Sequence, residues 1–315
     1  MRKVTCHYDE CHTWETIAWN SKFCPDCNCK RKAERKGRLL DSVDDYEPVD
    51  APVVQSIRGV PDGARIAVLN DTQHPFQDNV TLEAVEKFLR DFQPHYLFFN
   101  GDMLDFYSIS DFKKDPSRAF GIQDEVDSLF RWYFKMRTDH PKARVIHGDG
   151  NHEHRLQRWL WKHNEIAGLR SLTVPKLLRF DELGFEHLQY RSVIDFLGFR
   201  IEHGYLAPGS NSAYPMNVSR AMASKTGSSG LCGHTHRFSV YSWTDSRGTH
   251  SYVENGCLCK IGLEYAPFPN WQQAFTYGVV NKGVVHLHPT AIYDTGFHAN
   301  GEFYPRVKPK GRPRK

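Results

Sequence analysis

The sequence predicts an α/β fold in which parallel strands are covered by helices. Three short apolar runs, at 65–70, 95–100 and 143–147, have the length and composition of buried strands. The segments that separate them carry apolar residues at helical spacing. A strand–helix–strand–helix–strand order makes a parallel sheet with helices on its faces the expected arrangement.

Each further element follows from its own pattern. The first helix ends before Pro94 and has an apolar stripe formed by Leu82, Val85, Phe88, Leu89 and Phe92. Two more helices are expected over 123–138 and 153–163. After about residue 186 the chain is mostly strand-like, and the expected strands are 199–202, 230–233 and a hairpin of 239–244 with 250–254.

Length and composition are those of an ordinary globular protein. The 315 residues allow one large domain with small appendages, and 25% of them are charged. No segment approaches the roughly 18 apolar residues of a membrane span. The first ten residues are charged rather than apolar, unlike a secretory signal. We therefore expect a cytoplasmic protein that makes no contact with a membrane. The sequence does not predict its oligomeric state.

Five of the eight cysteines lie within the first 29 residues. Cys6-x4-Cys11 and Cys24-x2-Cys27 have the spacing of two knuckles that close a tetrahedral zinc site. Bound metal would supply the stability that so short a segment lacks, and an intracellular location disfavours the alternative, a disulfide framework. We expect one structural zinc in a zinc-ribbon-like module, for which other possible ligands are His7, His12 and Cys29.

Charge is distributed unevenly along the chain. Residues 30–38 carry a net charge of +5 and residues 306–315 one of +6, which leaves −7 for the remainder of a chain of net charge +4. We expect a zinc module with its basic extension at 1–38, an acidic, proline-containing linker at 39–62, a catalytic domain at 63–297 and a basic tail at 298–315. The basic ends favour a polyanionic partner, although they can also serve solubility alone.

Potential metal ligands follow the apolar runs. Functional groups gather beyond the carboxyl ends of strands in an open α/β sheet, so these residues are expected to converge. They are Asp71, Asp102, Asn151, His203 and, in a Gly-His-Thr-His run, His234 and His236.

Such a set of oxygen and imidazole ligands suits two divalent cations, of Mn, Fe or Zn rather than Ca. We expect the Asp102 carboxylate to bridge them, because an imidazole bridges poorly. Asp71 and His236 would bind one cation, and Asn151, His203 and His234 the other. A cation pair can bind phosphate oxygens and lower the pKa of a bridging water, which predicts hydrolysis of phosphate esters.

These clusters resemble the motifs of the calcineurin-like metallophosphoesterase superfamily, D-x-H, G-D-x-x-D, G-N-H-E/D, H and G-H-x-H, over about residues 65–240. The resemblance implies a four-layer α/β/β/α sandwich with the dimetal centre at one edge. It also implies that His152 contacts the scissile phosphate and can protonate the leaving oxygen. Gln73 stands where the family has histidine, which predicts a more loosely held first metal, of manganese or magnesium. The adjacent His74 would point elsewhere.

Other residues near the motifs have two possible roles. We expect Asp105 to orient a ligand, and His154 and Arg155 either to reach a phosphate or to face solvent. The segment 255–275 resembles a run of phage-associated and bacterial members, and either packs as strands or contacts substrate. Cys232, Cys257 and Cys259 are expected to be buried small hydrophobes rather than ligands.

The last eight residues resemble the core of an AT-hook. Arg312 and Arg314 flank Pro313, and an extended backbone of this kind can place arginine in the narrow minor groove of A·T-rich DNA. The leading hypothesis is therefore a metal-dependent phosphodiesterase or nuclease that acts on nucleic acid, preferably DNA. One form of this hypothesis is a phage-encoded enzyme that acts in the host cytoplasm. The alternatives are a phosphomonoesterase acting on proteins or nucleotides, and a non-catalytic DNA-binding protein with a degenerate metal site.

Overall fold

The computed structural model describes residues 2–5, 13–16, 53–112, 114–115, 117–118, 120–204, 217–262 and 269–307. The chain divides into two units, Met1–Ala51 and Pro52–Lys315. In the first, strands β1 (Arg2–Thr5) and β2 (Thr13–Thr16) pair antiparallel. The expected zinc ligands Cys6, Cys11, Cys24 and Cys27 lie outside the described residues, as do Arg312 and Arg314 of the tail.

Two six-stranded sheets form the second unit. Sheet A contains, in spatial order, β14 (Val284–Ile292), β13 (Gln273–Asn281), β4 (Arg65–Leu69), β5 (Tyr96–Asn100), β6 (Arg144–Gly148) and β7 (Phe185–Leu188). Sheet B contains β11 (Phe238–Asp245), β12 (Gly248–Asn255), β10 (Gly230–Cys232), β9 (Phe199–Glu202), β8 (Val193–Phe196) and β3 (Val54–Ile57). The run from β4 to β7 is parallel, as are β9, β10 and β12.

Six α-helices and one 3-10 helix complete the described part of the unit. They are α1 (Asn79–Phe92), the 3-10 helix Tyr107–Ile109, α2 (Ile122–Asp139), α3 (His154–Lys162), α4 (Val174–Leu177), α5 (Phe180–Leu183) and α6 (Val218–Thr226). Helix α1 is capped by Asp78, whose side chain accepts hydrogen bonds from the backbone N–H groups of Val80 and Thr81. It ends at Gln93, just before Pro94, as the sequence predicts.

The two sheets pack face to face, and helices cover their outer faces. Side chains alternate along β4, so Ile66 and Val68 point into the core between the sheets, while Ala67 and Leu69 point toward α1 and α2. Phe98 of sheet A meets Phe196 of sheet B with ring centroids 5.6 Å apart. On the far side of sheet B, α6 packs on Cys232 and Tyr252 in a small apolar cluster. These layers confirm the predicted α/β/β/α sandwich.

The structure differs from the sequence-based expectation at both ends of the catalytic unit. Within the expected linker 39–62, Val54–Ile57 forms strand β3 on the edge of sheet B, and Ile57 and Val60 are buried. Four residues are too short for a pattern to distinguish a strand from a linker.

The tail expected from residue 298 also starts later than its composition suggested. Strands β15 (Gly296–Ala299) and β16 (Glu302–Pro305) form a hairpin that packs on α1, and Tyr304 is only 2% exposed. Its ring lies 5.4 Å from that of Phe88. The buried apolar residues of the hairpin, Phe297, Ala299 and Tyr304, are too few to leave a periodic signal in the sequence.

Candidate metal centre

The predicted ligands meet where the carboxyl ends of both parallel runs reach the same edge. Asp71, Asp102 and Asn151 follow β4, β5 and β6 of sheet A, and His203 and His234 follow β9 and β10 of sheet B. The sheets are joined there, because the Asn100 side chain at the end of β5 donates to the Glu202 carbonyl of β9 at 2.9 Å, and Nδ1 of His203 lies 3.0 Å from the Asn100 carbonyl. Residues up to 165 positions apart therefore become neighbours.

One group of ligands centres on Asp102. The ligand atoms of Asp102, His203 and His234 lie within 4.8 Å of one another. The Oδ1 atom of Asn151 is 3.1 Å from Nε2 of His203. These four side chains are the three ligands expected for one cation and the carboxylate of Asp102, which is expected to be shared. They offer the oxygen and imidazole atoms that Mn, Fe and Zn accept.

The surroundings of His203 favour a positive charge on its Nε2 atom. Nδ1 lies 3.0 Å from the Asn100 carbonyl, while Nε2 faces Asn151 Oδ1 at 3.1 Å and Asp102 Oδ2 at 3.2 Å. A neutral ring has one N–H and cannot donate on both sides. Burial lowers the pKa of His203, but the charge of Asp102 raises it to about 10. A bound cation would supply the positive charge between Nε2 and these oxygens in place of a proton on Nε2, so these residues fit a metal.

A second group of ligands centres on Asp71. Its Oδ1 atom lies 3.1 Å from Nε2 of His236, and that nitrogen is also 3.1 Å from the amide nitrogen of Gln73. Burial lowers the pKa of His236, but the charge of Asp71 raises it to about 9. Gln73 is 1% exposed and so lies inside the centre. Its neighbour His74 turns away, since its Nδ1 atom is 3.0 Å from the hydroxyl of Ser128 on α2.

The segment 255–275 supports Asp71 from behind. Asn70 donates to Asp71 Oδ2 at 2.6 Å and is held in turn by Asn255, whose side chain donates to Asn70 Oδ1 at 2.5 Å. Trp271 packs its ring against His236 with centroids 4.3 Å apart. In the described part of this segment, therefore, the packing role is the one that the contacts show.

Backbone conformation is unusual at several of these positions. Twelve non-glycine residues among those described have positive φ, and five of them are Asp71, Gln73, Asp102, His234 and His236. Such conformations are costly and concentrate at functional sites. The surrounding hydrogen bonds hold them, as when the Gln73 N–H donates to the Asp102 carbonyl at 3.0 Å and the Asp71 N–H donates to that of Gly101 at 3.0 Å.

Two glycines in the motifs allow the ligands to approach closely. A Cβ atom at Gly150 would collide with the carboxylate of Asp102, and one at Gly233 would stand 2.5 Å from Oδ2 of Asp71. Any side chain at either position would displace a carboxylate that the centre needs. This is the physical reason for glycine before Asn151 and before His234.

Glu153 is a residue whose role the sequence did not reveal. It is 1% exposed, and its carboxylate accepts hydrogen bonds from the N–H groups of Asp102, Met103, Leu104 and Gly150 at 2.7–2.9 Å. Burial raises the pKa of Glu153, while the N–H groups stabilise its charged form. It joins the Asp102 loop to the Asn151 loop. The G-N-H-E motif contained this residue, but its spacing cannot show what it binds.

His152, Asp105 and Arg155 form a polar cluster at the rim. The His152 N–H donates to Asp102 Oδ1 at 2.8 Å, and its ring Nδ1 lies 3.1 Å from the Asp105 carbonyl. Arg155 donates to that carbonyl at 2.7 Å and to the Asp105 carboxylate at 3.0 Å. Its second guanidinium nitrogen is 3.0 Å from His152 Nε2. With Nδ1–H donating to Asp105, Nε2 is the nitrogen that faces Arg155.

His154 and three cysteines lie outside this polar cluster. The ring of His154 stacks on that of Tyr190 with centroids 4.4 Å apart. Cys232, Cys257 and Cys259 are buried free thiols, as expected, but Cys259 Sγ also lies 3.8 Å from Nδ1 of His236. The ligand atoms of His236, Cys257 and Cys259 lie within 4.8 Å of one another, which directs the Nε2 atom of His236 toward Asp71.

A family model for calcineurin-like phosphoesterases matches residues 64–238, more than half of the chain. The chain belongs to the calcineurin-like phosphoesterase family. It is accordingly a metal-dependent phosphoric ester hydrolase. The matched range contains every predicted ligand of the metal centre, from Asp71 to His236.

Relatives of this phosphoesterase occur in mycobacterial viruses. It is 29% identical over 254 residues to the Gene 54 protein of Mycobacterium phage D29, and the aligned region covers 72% of this chain and 92% of the relative. It is 28% identical over 267 residues to the Gene 54 protein of Mycobacterium phage L5, covering 76% and 98%.

Solved structures are also similar at low identity. Vps29 with Zn²⁺ from Entamoeba histolytica gives a TM-score of 0.40 at 11% identity, covering 77% of this chain and 99% of that one. A dimetal phosphatase from Danio rerio gives 0.37 at 12% identity, covering 79% and 98%. In the described part of this phosphoesterase, no helix is long and apolar enough to cross a membrane.

Proposed function

We propose that this phosphoesterase is a phosphodiesterase of nucleic acid that uses two divalent cations. The observation that carries the proposal is the convergence of Asp102, His203 and His234, whose ligand atoms lie within 4.8 Å of one another, beside the group formed by Asp71 and His236. Asp102 is the carboxylate to be shared. Manganese, iron or zinc fits these ligands, and a structural zinc at the N-terminal cysteines remains part of the proposal.

The residues of the chain have separate tasks in this reaction. Asp71, Gln73 and His236 would hold one cation, and Asn151, His203 and His234 the other. When bound, the cations polarise the phosphate and lower the pKa of a water. Glu153 holds the Asp102 loop against the Asn151 loop through four N–H bonds, which fixes the position of the shared carboxylate relative to Asn151.

His152 and Arg155 would act on the substrate itself. The Nε2 atom of His152 and a guanidinium nitrogen of Arg155 are 3.0 Å apart, so both reach the same phosphate group. Arg155 would bind a phosphate oxygen as a hydrogen-bond donor. With Arg155 turned to the phosphate and both ring nitrogens protonated, His152 would deliver its Nε2 proton to the leaving oxygen and keep the one on Nδ1, a contribution of about 10²–10⁴-fold to the rate. Asp105 orients both through its carbonyl and carboxylate.

Charge supports nucleic acid as the polyanion. The segments 30–38 and 306–315 together carry a net charge of +11, while the rest of the chain carries −7. Basic segments of this kind bind phosphate backbones, and the AT-hook-like tail with Arg312 and Arg314 favours DNA. Because the relatives are phage proteins, we place the reaction in the cytoplasm of the host cell.

The test compares three substrates with manganese-loaded protein: bis-p-nitrophenyl phosphate, p-nitrophenyl phosphate, and a labelled oligonucleotide. We expect faster hydrolysis of the diester than of the monoester, and cleavage of the oligonucleotide. Asn151→Ala should lower both rates at least about 100-fold, and His152→Ala should lower the rate constant by about 10²–10⁴-fold. A preference for the monoester with an intact oligonucleotide would show a phosphomonoesterase instead. No turnover above the Asn151→Ala background would show a binding protein.

A further inference from the structure

A groove open to solvent lies beside the metal centre, between α3 and the loop that follows the 3-10 helix. It has a volume of about 100 Å³, below the roughly 300–1,000 Å³ of small-molecule sites, so it suits a chain that lies along it rather than an enclosed small ligand. Its chemical character comes from three cations and two aromatic rings, with one carboxylate: Arg155, Arg158, Lys162, Phe112, Trp159 and Asp111. Nothing in the metal-centre chemistry described above uses Phe112, Arg158 or Lys162.

Helix α3 presents four of these residues on one face. Arg155, Arg158, Trp159 and Lys162 follow one another at the i, i+3, i+4, i+7 spacing that forms a single stripe on a helix. The helix is anchored by Leu156 and Leu160, which are buried on another face. The stripe is therefore a fixed row of charge rather than a set of independent surface side chains.

Arg155 connects this groove to the catalytic residues. It lines the groove and also contacts His152 at 3.0 Å and Asp105 at 2.7 Å. A phosphate held at Arg155 thus lies at the start of the row, with Arg158 and Lys162 one and two helical turns further along. A chain of phosphates leaving the metal centre in this direction would follow the row.

Phe112 supplies an aromatic platform over the groove. Its side chain is 72% exposed, which is unusual for a large apolar ring, and it lies 5.9 Å from the guanidinium of Arg155. Trp159 is half-buried and stacks on His163 with centroids 3.9 Å apart, so it forms a wall of the groove. Exposed rings interleaved with cations are the pattern of sites that stack unpaired bases while holding the backbone.

We propose that this groove binds the single-stranded nucleotides that adjoin the scissile phosphate. Phe112 stacks an unpaired base, and Arg158 and Lys162 pair with successive phosphates. The inference rests on the proposed function. It adds that the substrate is single-stranded and that it leaves the metal centre along α3. A duplex keeps its bases stacked on one another and offers no face to Phe112, so single strands are the class of substrate that the groove fits.

Asp111 is the group that opposes this binding. Its carboxylate lies 3.2 Å from Arg158 and 2.6 Å from Lys162, and all three side chains are more than half exposed. Exposed ion pairs of this kind are weak, so a phosphate can replace the carboxylate. Removing the charge of Asp111 should therefore strengthen nucleic-acid binding.

The test measures affinity for a fluorescent single-stranded 12-mer in the Asn151→Ala background, where cleavage is suppressed. We expect Phe112→Ala to weaken binding about tenfold through the lost base stack. Arg158→Gln with Lys162→Gln should reduce the slope of log affinity against log salt by about 1.4, at about 0.7 per phosphate contact. Asp111→Asn should strengthen binding. The matched control is Lys87→Gln with Lys176→Gln, two exposed lysines that are likewise paired with aspartates.

The basic ends of the chain can also bind the 12-mer, so a second measurement locates it. A 12-mer containing 5-iodouracil is photo-crosslinked to the full-length protein, and the adduct is mapped by mass spectrometry. We expect an adduct on Phe112 or Trp159. Adducts confined to residues 1–51 or 308–315, or an affinity that the groove variants change no more than the control does, would overturn the inference.

Failure of the inference differs from failure of the proposed function. If oligonucleotides are cleaved but the groove variants behave like the control, the phosphodiesterase stands and the groove does not. If the 12-mer binds in the groove and crosslinks to Phe112 but the metal-loaded wild type leaves it intact, the groove stands and the proposed reaction fails. A duplex that crosslinks to Phe112 or Trp159 more efficiently than the single strand does would also overturn the inference.

Discussion

Gln73 occupies the position where the family pattern has a histidine, and the structure places its amide 3.1 Å from Nε2 of His236. A neutral amide oxygen is a weaker ligand for Mn, Fe or Zn than an imidazole nitrogen. The residue is buried at 1% exposure and has a φ of 49°, a conformation that histidine tolerates better than most side chains. The loop can therefore accept the family's residue without refolding.

Gln73→His should tighten binding of the first metal. We expect a lower Kd for Mn²⁺ at one of two sites, by about tenfold, the lower end of what residues around a metal typically contribute. Isothermal titration of metal-free protein measures it, and Gln73→Ala should shift the same Kd in the opposite direction. Equal affinities in all three proteins would mean that position 73 lies outside the coordination sphere.

At the scale of elements, the hairpin of β15 and β16 fastens the end of the described chain to α1. Tyr304 packs on Phe88 and on Phe297, with centroids 5.4 Å and 5.3 Å apart. Just after the hairpin, Arg306 donates to Asp78 at 2.8 Å, and Asp78 is the residue that caps α1. One helix is thus held both along its apolar face and at its cap by a segment distant in sequence.

Tyr304→Ala should destabilise the catalytic unit by about 3 kcal/mol, because it leaves a cavity between Phe88 and Phe297. Urea unfolding measures the change. The neighbouring Phe303 is 45% exposed and provides the matched control, for which Phe303→Ala should cost less than about 1 kcal/mol. Equal losses would show that the hairpin is not part of the cooperative unit.

At the scale of the whole molecule, the strongly basic segments, which we propose bind nucleic acid, lie outside the catalytic body. Residues 63–305 carry a net charge of only −1, so the catalytic body as a whole has no strong field that attracts a polyanion. The segments 30–38 and 306–315 supply the positive charge. On our proposal, these segments supply the long-range attraction of nucleic acid, while the groove on the catalytic unit holds only the nucleotides next to the scissile phosphate.

Deleting residues 308–315 removes five cations and should weaken binding to duplex DNA. If all five contact phosphates, the slope of log affinity against log salt falls by about 4.5. Salt-dependent fluorescence anisotropy measures the slope on A·T-rich and G·C-rich duplexes. Arg312→Gln with Arg314→Gln should remove any preference for the A·T-rich duplex, because arginine reads the narrow minor groove. An unchanged slope would assign duplex binding to the N-terminal segment.

Strand and helix positions were predictable where apolar residues recur at helical spacing over many residues, or where an apolar run has clear ends. The strands expected at 65–70, 95–100 and 143–147 are β4, β5 and β6 within a residue or so, and the helix expected at 123–138 is α2, Ile122–Asp139. The four-residue strand β3 and the hairpin of β15 and β16 were not predictable. Their few buried side chains can be recognised as core residues only when the surfaces that they cover are known.

The sequence alone predicts the types of ligand and their order, because a distinctive local motif contains each of them: Asp71, Asp102, Asn151, His203, His234 and His236. How these side chains are held becomes visible only in the folded chain. The four N–H groups bound by Glu153 come from two loops, and the row on α3 faces Phe112 from a different segment. Such contacts depend on distances between residues remote in sequence, which parallel strands and sheet packing establish and local patterns do not encode.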